Sequence, residues 1–301
     1  MVPRQVFDAR LVERAVASGG ELIQHRVRRI ERHGAGFTVD GQFHARIIIG
    51  ADGAHSAVRT STGPSAARTR AFAIRGYVPT DSALRDQMVI RYGRRSQPSY
   101  AWAFDRGDGL SNVGYGELVA PGERPSRQFL LQQLVELLPT TFDADTHWRG
   151  HHLPLTGCRW GAEQDDGGVL LAGDAAGLVN PLTGEGIYHA VTTGALAGRA
   201  AATALADNRP YEAGAHYRRA VQQRLGPHIR HTWIAAGLAR STTILGAGIR
   251  AAARDPHTFD DITELGLGDG VLTPRLMGEL AGGVVAHATA RFTTRTDGRA
   301  P

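Results

Sequence analysis

The first apolar pattern along the chain has the spacing of a helix. Its members fall on one helical face and are Leu11, Val12, Ala15 and Val16. Asp8 precedes them as a candidate N-cap, and Gly19 follows them as a residue type that ends helices. We therefore predict a helix over residues 9–18.

Three strand-like stretches come next, at residues 21–29, 36–41 and 43–53. The Asp40-Gly41 pair between the second and the third is typical of a hairpin turn. The third stretch contains isoleucine at each of positions 47–49. Such an unbroken β-branched run is typical of a strand that is buried on both faces of a parallel sheet.

A second β-rich region has a different texture. Four stretches are separated by glycine, proline and aspartate turns, at residues 71–78, 87–93, 100–107 and 110–116. This arrangement predicts an antiparallel sheet. We expect an amphipathic helix at residues 125–138, a short buried strand at 168–171 and an alanine-rich helix up to about Ala206. From Tyr211 the pattern is helical.

Composition and charge exclude several classes of protein. With 301 residues, 42% of them hydrophobic and 21% charged, the chain can bury a sizeable core and is not a disordered protein. No apolar run approaches a membrane span of about 18 residues. The N-terminus has no apolar signal core, so we expect a cytoplasmic protein. The formal charge of +5 rests on arginine without lysine. These arginines are scattered and no aromatic residues interleave with them, so we expect no nucleic-acid partner.

Cys158 is the single cysteine, which excludes an intrachain disulfide, an iron–sulfur cluster and a multi-thiolate zinc site. Without a second cysteine as redox partner, we expect Cys158 to be a small buried side chain. His151 and His152 lack the spacing of metal ligands, so we expect no metal. The sequence contains no G-x-S-x-G motif, which would indicate a hydrolase. The acidic residues at 163–166 indicate a solvated turn.

The first candidate site follows the isoleucine run directly. Residues 50–59 have the sequence GADGAHSAVR. Small residues let the backbone approach a ligand closely, and Asp52 can accept from a ribose or ribityl hydroxyl. The helix predicted from Ser56 offers its N-terminus to a phosphate. The alternative interpretation is an ordinary Asp-Gly turn at the end of a strand, which would give the same pattern without a ligand.

The second candidate site lies between the strand at 168–171 and the alanine-rich helix. The strand delivers Gly173 and Asp174 to its carboxyl end, where ligands bind in α/β sheets. Residues 181–186 then form a glycine-rich loop before the helix that begins at Ile187. The N-terminus of that helix would stabilise negative charge on a bound ring system.

Aromatic residues alternate along one of the antiparallel strands. Tyr100, Trp102 and Phe104 would share one face and line one wall, and Gly114 and Gly116 alternate on the next strand. The core face of an antiparallel sheet accounts for the same pattern.

Together, the Asp-Gly and Gly-Asp segments closely resemble the second and third FAD fingerprints of the flavoprotein hydroxylase and reductase superfamily. The resemblance implies that Asp52 lies near the FAD pyrophosphate and that Asp174 contacts the ribityl chain. It places residues 184–187 along the flavin pyrimidine, where the reduced ring carries negative charge. The residues implied for the cofactor are Arg4, Gly50, Ala51, Asp52, Gly53, Ser56, Arg59, Gly173, Asp174, Ala175, Pro181, Gly184, Glu185, Gly186 and Ile187.

The aromatic strand resembles the substrate motif of the geranylgeranyl reductases, Tyr-x-Trp-x-Phe-Pro followed by Gly-x-Gly, except that Asp105 stands where that family has proline. NPLTGEGI at residues 180–187 fits the same family, and the resemblance covers most of residues 7–202. It implies a prenyl lipid substrate, with NAD(P)H or another reductant as electron donor. The substrate-binding residues that it implies are Tyr100, Trp102, Phe104, Gly114 and Gly116.

The resemblance also implies an α/β fold, α+β overall. It would comprise a partial Rossmann-like FAD-binding domain, an inserted antiparallel substrate-binding sheet and a C-terminal helical tail. The expected segments are 1–65 and 159–210 for the FAD-binding domain, 66–158 for the substrate-binding sheet and 211–301 for the tail. The superfamily's opening βαβ unit, with its G-x-G-x-x-G turn, is missing from the sequence. A late start codon, a truncated gene and a fragment each account for this.

We therefore expect an FAD-dependent oxidoreductase that reduces carbon–carbon double bonds of a geranylgeranyl or polyprenyl lipid, such as a prenylated quinone. The runner-up is an FAD-dependent hydroxylase of aromatic or polyketide rings, which both fingerprints serve equally well. A third alternative is a truncated remnant without catalytic activity. No proton donor stands out, because helix geometry can direct Tyr188 and His189 into packing.

A lipid substrate also suggests a peripheral contact with the inner face of the membrane. Residues 244–253 and 276–288 offer apolar helical faces for it. Packing onto the FAD-binding domain accounts for these faces as well.

Overall fold

The structure is a computed structural model of the 301-residue chain. It describes residues 1–61, 70–95, 97–120, 122–143, 145–158, 160 and 167–296, with side chains up to residue 285. The acidic turn expected at residues 163–166 lies outside these ranges.

Helices and both kinds of β-pairing occur in the described residues, which confirms the predicted α/β class, α+β overall. The helices are α1 (Arg4–Ala17), α2 (Ala57–Ser61), α3 (Arg127–Leu137), α4 (Ile187–Ala206), α5 (Ala213–Ala239), α6 (Thr242–Arg254), α7 (Pro256–Leu267) and α8 (Pro274–Thr296). The strands are β1 (Ile30–His33), β2 (Gly36–Val39), β3 (Phe43–Ala45), β4 (Ile48–Gly50), β5 (Arg70–Pro79), β6 (Met88–Tyr92), β7 (Ser99–Asp105), β8 (Leu110–Val119), β9 (Arg149–Pro154) and β10 (Val169–Leu171).

The chain divides into two compact units. The first consists of Met1–Arg28, Phe72–Arg95 and Ser99–His152. The second consists of Arg29–Ala71, Ser96–Pro98 and Leu153–Pro301. The expected antiparallel sheet lies almost wholly in the first unit. The two glycine segments, at residues 50–59 and 173–187, lie in the second unit with the C-terminal helices. The four segment boundaries expected from the sequence stay a prediction.

A five-stranded sheet forms the base of the first unit, in the order β6-β7-β8-β5-β9. β7 pairs antiparallel with both β6 and β8, as the sequence predicted. One face of the sheet packs against α3. Leu130 and Leu134 of that helix are fully buried in one core with Ile74, Val113 and Tyr115.

The second unit is organised around a parallel pair of short strands. β4 pairs with β10 from Ile48 opposite Val169 to Gly50 opposite Leu171, and β10 is buried at every residue. Alanines of α4 let α5 pack closely beside β10 in the same core. The Gly173 turn therefore begins where a buried strand ends.

The predicted Asp40-Gly41 hairpin is confirmed. β2 and β3 pair antiparallel, and the two turn residues have φ of +50° and +68°. Positive φ at both central residues matches the right-handed twist of the flanking strands.

Residues 21–29 form no strand, contrary to the prediction. They lack regular structure and every one of them is exposed. A strand needs a neighbour that supplies backbone hydrogen bonds, and no described strand pairs with this segment. Ile49 of β4 is 40% exposed, so the expected burial of the isoleucine run on both faces was wrong at this position. A strand face is buried only where another layer packs over it.

The first helix begins earlier than predicted, at Arg4, with Pro3 as its N-cap. Asp8 is not the cap, because it lies inside the helix. Its carboxylate pairs with the Arg4 guanidinium at 3.0 Å, one turn away. A proline just before the helix already has the backbone geometry that a helix start requires.

Cys158 is exposed, so the prediction that it is buried was wrong. It lies in a turn that begins after the buried residues Leu155 and Thr156. A small apolar side chain is buried only where the backbone passes through a core, and here the backbone has already left it.

The apolar face of α6 is used for packing. Ala247, Gly248 and Ala251 are buried, and α8 approaches so closely that a Cβ on Gly283 would lie 2.7 Å from the Cβ of Ala247. In the described part of the chain, no helix is both long enough and apolar enough to cross a bilayer.

Candidate functional site

The first glycine segment runs from β4 into α2, and its polar side chains bond within the chain. The Asp52 carboxylate accepts from the backbone amides of Ala57 and Val58 at 2.7 and 3.2 Å. Ser56 is fully buried, and its hydroxyl accepts from the Arg59 backbone amide at 2.9 Å. The amides expected to meet a phosphate therefore already have acceptors. Cofactor contacts of Asp52 and Ser56 stay predictions.

The backbone of this segment is closely packed at one end and open at the other. A Cβ on Gly50 would lie 2.7 Å from the Val58 Cβ and 2.8 Å from Leu171 Cδ2, so β4, α2 and β10 meet there. Gly53 has φ +79°, and nothing lies within 4 Å of the place where a Cβ would stand. Ala51 is exposed between the two glycines. A ligand can approach such a backbone closely.

Arg59 joins the two glycine segments. Its guanidinium donates to the carbonyls of Ala54 and Ala175, each at 2.7 Å. Ala54 belongs to the first segment, and the fully buried Ala175 belongs to the second. A planar cation with diverging donors suits two carbonyls better than a lysine would. The predicted contact of Arg59 with FAD stays a prediction.

The second glycine segment leaves β10 through a tight turn and exposes one carboxylate. Gly173 has φ +56°, and a Cβ there would lie 2.9 Å from the Cβ of Ala190 in α4, so glycine is needed at this position. Residues 168–181 are all described, and Asp174 is the one among them that is not buried. A Cβ on Gly186 would lie 3.1 Å from Asp174 Oδ1. An accessible carboxylate thus lies beside the start of α4.

Residues 180–187, which we name the α4 loop, are closed by hydrogen bonds within the loop. The backbone amide of Asn180 donates to the Glu185 carbonyl, and the Gly184 amide donates to the Asn180 carbonyl, each at 2.8 Å. Gly184 has φ +71°. The Glu185 carboxylate accepts from the Ile187 amide, the first of α4, at 2.5 Å. Pro181 is buried at the base of the loop.

Two buried histidines lie next to the α4 loop. His189 of α4 and His228 of α5 are 2% and 1% exposed, and their ring centroids are 5.1 Å apart. His228 Nδ1 donates to the Gly270 carbonyl at 2.7 Å. Within the described chain, His189 Nδ1 and His228 Nε2 have no hydrogen-bond partner. Burial, with a smaller contribution from His228, lowers the pKa of His189 to about 4. His189 is therefore neutral at pH 7 and a poor proton donor.

Tyr188 also takes part in contacts between helices. Its hydroxyl accepts from Arg224 of α5 at 2.9 Å, and Arg224 forms an ion pair with Asp269. Burial, followed by the neighbouring Asp269 carboxylate, raises the pKa of Tyr188. Both residues considered as proton donors thus contact α5 or the segment after α7.

Three aromatic side chains share one face of β7, as their alternation predicted. Tyr100, Trp102 and Phe104 are half-buried, whereas Ala101 and Ala103 on the opposite face are fully buried in the α3 core. The ring centroids of Tyr100 and Trp102 are 5.9 Å apart. The three rings therefore lie on one half-buried face of β7.

The Gly-x-Gly motif makes room for these rings. Gly114 pairs with Trp102 and Gly116 with Tyr100 across β8 and β7. A Cβ on Gly114 would overlap the indole of Trp102. The indole Nε1 donates to Asn112 Oδ1 at 3.4 Å, which holds the ring along β8.

The edge strand β6 extends the same surface, although no role was expected for it. Three alternating residues of β6 are exposed, with 68% for Met88, 48% for Ile90 and 40% for Tyr92. The cross-strand pairs are Met88 with Phe104, Ile90 with Trp102 and Tyr92 with Tyr100. We name these six residues the aromatic wall. The alternation at positions 88, 90 and 92 is visible in the sequence and could have revealed the extension.

Arg4 differs from the other residues expected at the cofactor. It belongs to the first unit, where its guanidinium pairs with Asp8, whereas the others belong to the second unit. Its contact with FAD stays a prediction.

The donors and acceptors of the second unit suit FAD. The accessible Asp174 carboxylate can accept from the hydroxyls of a ribityl chain. Gly53 leaves backbone uncovered, and the 20-residue helix α4 has its positive end at the loop. Among the described residues, no cluster of three His, Cys, Asp or Glu side chains could hold a metal ion.

A parallel strand pair with an Asp-Gly segment after one strand, a Gly-Asp turn after the other and a glycine loop opening a long helix defines the class of FAD-binding flavoproteins. The profile of the family described as FAD binding domain matches residues 7–225. The chain belongs to that family.

Two curated relatives confirm the resemblance to geranylgeranyl reductases. Digeranylgeranylglycerophospholipid reductase 3 of Methanosphaera stadtmanae is 30% identical over 224 residues, which are 70% of this chain and 56% of the relative. Geranylgeranyl diphosphate reductase of Rhodobacter capsulatus is 33% identical over 226 residues, again 70% of this chain and 56% of the relative. The chain thus spans about half the length of these relatives.

A solved structure confirms the fold. The geranylgeranyl bacteriochlorophyll reductase-like protein of Thermoplasma acidophilum superimposes with a TM-score of 0.66 at 20% identity. The match covers 93% of this chain and 71% of that protein.

Proposed function

We propose that this chain is the FAD-binding and prenyl-binding part of an oxidoreductase that reduces carbon–carbon double bonds of a geranylgeranyl or polyprenyl lipid. The aromatic wall carries the proposal, because a surface of rings and aliphatic side chains suits an apolar chain. The two curated relatives, both named as reductases of geranylgeranyl compounds, support it.

The residues of the second unit would bind and orient the cofactor. Asp174 would accept from the ribityl chain, and the positive end of α4 would stabilise negative charge on the flavin pyrimidine. When bound, reduced FAD would supply a hydride to one alkene carbon while an acid protonates the other, with NAD(P)H or another reductant as the source of electrons.

The residues of the first unit would hold the substrate. Tyr100, Trp102 and Phe104 would contact the isoprenoid units, and Met88 and Ile90 would extend that contact to the sheet edge. An apolar chain held against rigid rings loses less conformational freedom at the moment of reaction, which favours the hydride step.

A direct test uses the purified 301-residue chain. Its visible spectrum is recorded with and without added FAD, and the loaded protein is then reduced without oxygen and mixed with a geranylgeranyl lipid. We expect a bound-flavin spectrum and a product that gains two hydrogens per reduced bond by mass spectrometry. A product that gains oxygen when air is admitted favours the hydroxylase, and a chain that binds no FAD favours the non-catalytic remnant.

We further propose that the substrate reaches the chain from a membrane surface. The buried face of α6 is not the contact surface, because α8 covers it. Met88 and Ile90 at the exposed sheet edge are better placed for a contact with lipid. The chain should sediment together with lipid vesicles, and Met88→Ser should leave a larger fraction of the protein in the supernatant.

A further inference from the structure

We propose that Asn180 and Thr183 are positioning residues that lock the α4 loop onto the C-terminal end of α7. Through them, the C-terminal helical region sets the geometry of the cofactor site. The inference rests on the proposed function for the identity of the cofactor, and on the contacts below for the lock itself.

The Asn180 side chain is almost fully buried and uses both ends of its amide. It is 1% exposed. Its Nδ2 donates to the carbonyls of Leu265 and Gly266 at 2.9 and 3.2 Å, and its Oδ1 accepts from the Leu182 backbone amide at 2.9 Å. One side chain thus connects the loop with residues 85 and 86 positions later.

Thr183 makes a second connection to the same place. Its hydroxyl donates to the Gly266 carbonyl at 2.8 Å and accepts from the Glu185 backbone amide at 3.3 Å. A Cβ on Gly266 would lie 3.0 Å from the Thr183 methyl, so the Thr183 side chain packs directly on the Gly266 backbone. The loop is therefore held to the end of α7 at two positions, Asn180 and Thr183.

The end of α7 is suited to receive these donors. The last four carbonyls of a helix have no partner within the helix and carry its negative end. The Glu264 carbonyl accepts from the backbone amides of Gly268 and Gly270. The next two carbonyls, of Leu265 and Gly266, accept from the α4 loop. Removal of the loop donors would leave buried acceptors without partners, which is costly.

The segment that follows α7 also contacts the helices beside the loop. The Gly270 carbonyl accepts from His228, and Asp269 pairs with Arg224, which in turn donates to Tyr188. Asp269 and Gly270 themselves lie beyond residue 225, where the match to the FAD-binding family ends. The C-terminal region therefore supports the α4 loop and its helix from one continuous stretch of chain.

More than a helix cap is involved, because Asn180 also organises the loop through its backbone. Its amide and carbonyl bond to Glu185 and Gly184, the residues expected along the flavin pyrimidine. Without the bonds of this side chain, the loop can adopt more conformations. The hydrogen bonds of the amides at residues 184–187 should then break more often. A cap that served α7 alone would leave these amides unchanged.

The test measures hydrogen exchange in the chain without FAD. Thr183→Val removes the hydroxyl at constant shape, Thr183→Ser keeps it, and Asn180→Asp replaces the donor by an oxygen that faces two carbonyls. Thr141→Val is the matched control, because it removes a buried hydroxyl that donates to the Leu138 carbonyl at 2.7 Å in the first unit. We expect about tenfold faster exchange at the Gly184 and Ile187 amides in Thr183→Val and Asn180→Asp, and near wild-type exchange in Thr183→Ser. The Glu185 amide does not report on the lock, because it donates directly to the Thr183 hydroxyl.

Exchange in β8, at residues 110–119, serves as the internal reference. Faster exchange in β8 by the same factor, or unchanged exchange at Gly184 and Ile187, would overturn the proposal. A second readout is FAD affinity, which should fall about tenfold in Thr183→Val and recover in Thr183→Ser. If the wild-type chain binds no FAD, the proposed function fails, while the exchange data still decide whether the lock exists.

Discussion

The indole of Trp102 lies over Gly114, at the centre of the aromatic wall. The two residues pair across β7 and β8, and the ring occupies the space that any side chain at position 114 would need. The Ile74 carbonyl closes the same space from β5. Glycine at 114 is therefore a condition for the position of the ring.

Gly114→Ala should displace Trp102 and destabilise the first unit. A Cβ there overlaps both the ring and the backbone carbonyl, and overpacking of this kind costs about 1–3 kcal/mol. Urea unfolding followed by tryptophan fluorescence measures the loss. Gly116→Ala is the matched control, because its Cβ would come no closer than 3.5 Å to any atom. Equal losses in the two variants would contradict the role assigned to Gly114.

Ile90→Ser should weaken binding of a prenyl chain without affecting the flavin site. Ile90 pairs with Trp102 and is 48% exposed, so a bound chain would cover it. We expect an increase of about threefold to tenfold in the Kd of a soluble prenyl alcohol, from the lost apolar contact. Quenching of tryptophan fluorescence gives this Kd.

Val135→Ser is the control for that experiment. Val135 is an exposed apolar residue of α3, outside the aromatic wall. A Kd that rises equally in both variants would show that the wall is not the binding surface.

Arg59→Met should loosen both glycine segments together. It removes donors to two carbonyls, and the expected loss of stability is about 2 kcal/mol, with weaker FAD binding as a consequence. Thermal unfolding and flavin titration measure the two effects. Arg46→Met removes an exposed arginine that bonds to Asn208 at 3.3 Å in the same unit, and should cost less than about 0.5 kcal/mol. A similar loss in both variants would argue against a specific role for Arg59.

The stability of the chain should fall in mild acid because of His189. Burial lowers its pKa from 6.5 to about 4, so the unfolded chain binds a proton at a higher pH than the folded chain does. The neutral imidazole therefore contributes its full stability above pH 6.5, and this contribution is lost as the pH falls to about 4. The loss amounts to about 3 kcal/mol.

Urea unfolding between pH 7.5 and 4.5 measures this dependence. His189→Leu should flatten the decline, and the remaining slope should include His228, whose pKa burial also lowers. His147→Leu, at an exposed position, is the control for the replacement of a histidine by leucine. An unchanged slope in His189→Leu would contradict the assignment.

Local patterns predicted the parts of the fold that depend on neighbours along the chain. The alternation of rings in β7, the Asp40-Gly41 hairpin and the helix from Ile187 all appear as expected. Periodicity reports which side chains share a face, and that property is fixed by backbone geometry within a few residues. The two glycine segments were recognisable for the same reason.

Contacts between distant residues required the tertiary structure. Arg59 bonds to a carbonyl 116 positions away, and Asn180 bonds to one 85 positions away. Every residue has the same carbonyl, so no sequence pattern marks which one a side chain will reach. The same limit explains Cys158, whose exposure depends on where the backbone leaves the core.

The amino-acid sequence alone determined the two glycine segments, the alternating rings and the family that they resemble, because each is a short-range pattern of residue types. The tertiary structure decided whether residues 21–29 find a strand partner, how the edge strand β6 extends the aromatic wall, and which helix end holds the α4 loop. Hydrogen bonds and packing between separate segments depend on where the folded chain brings its backbone.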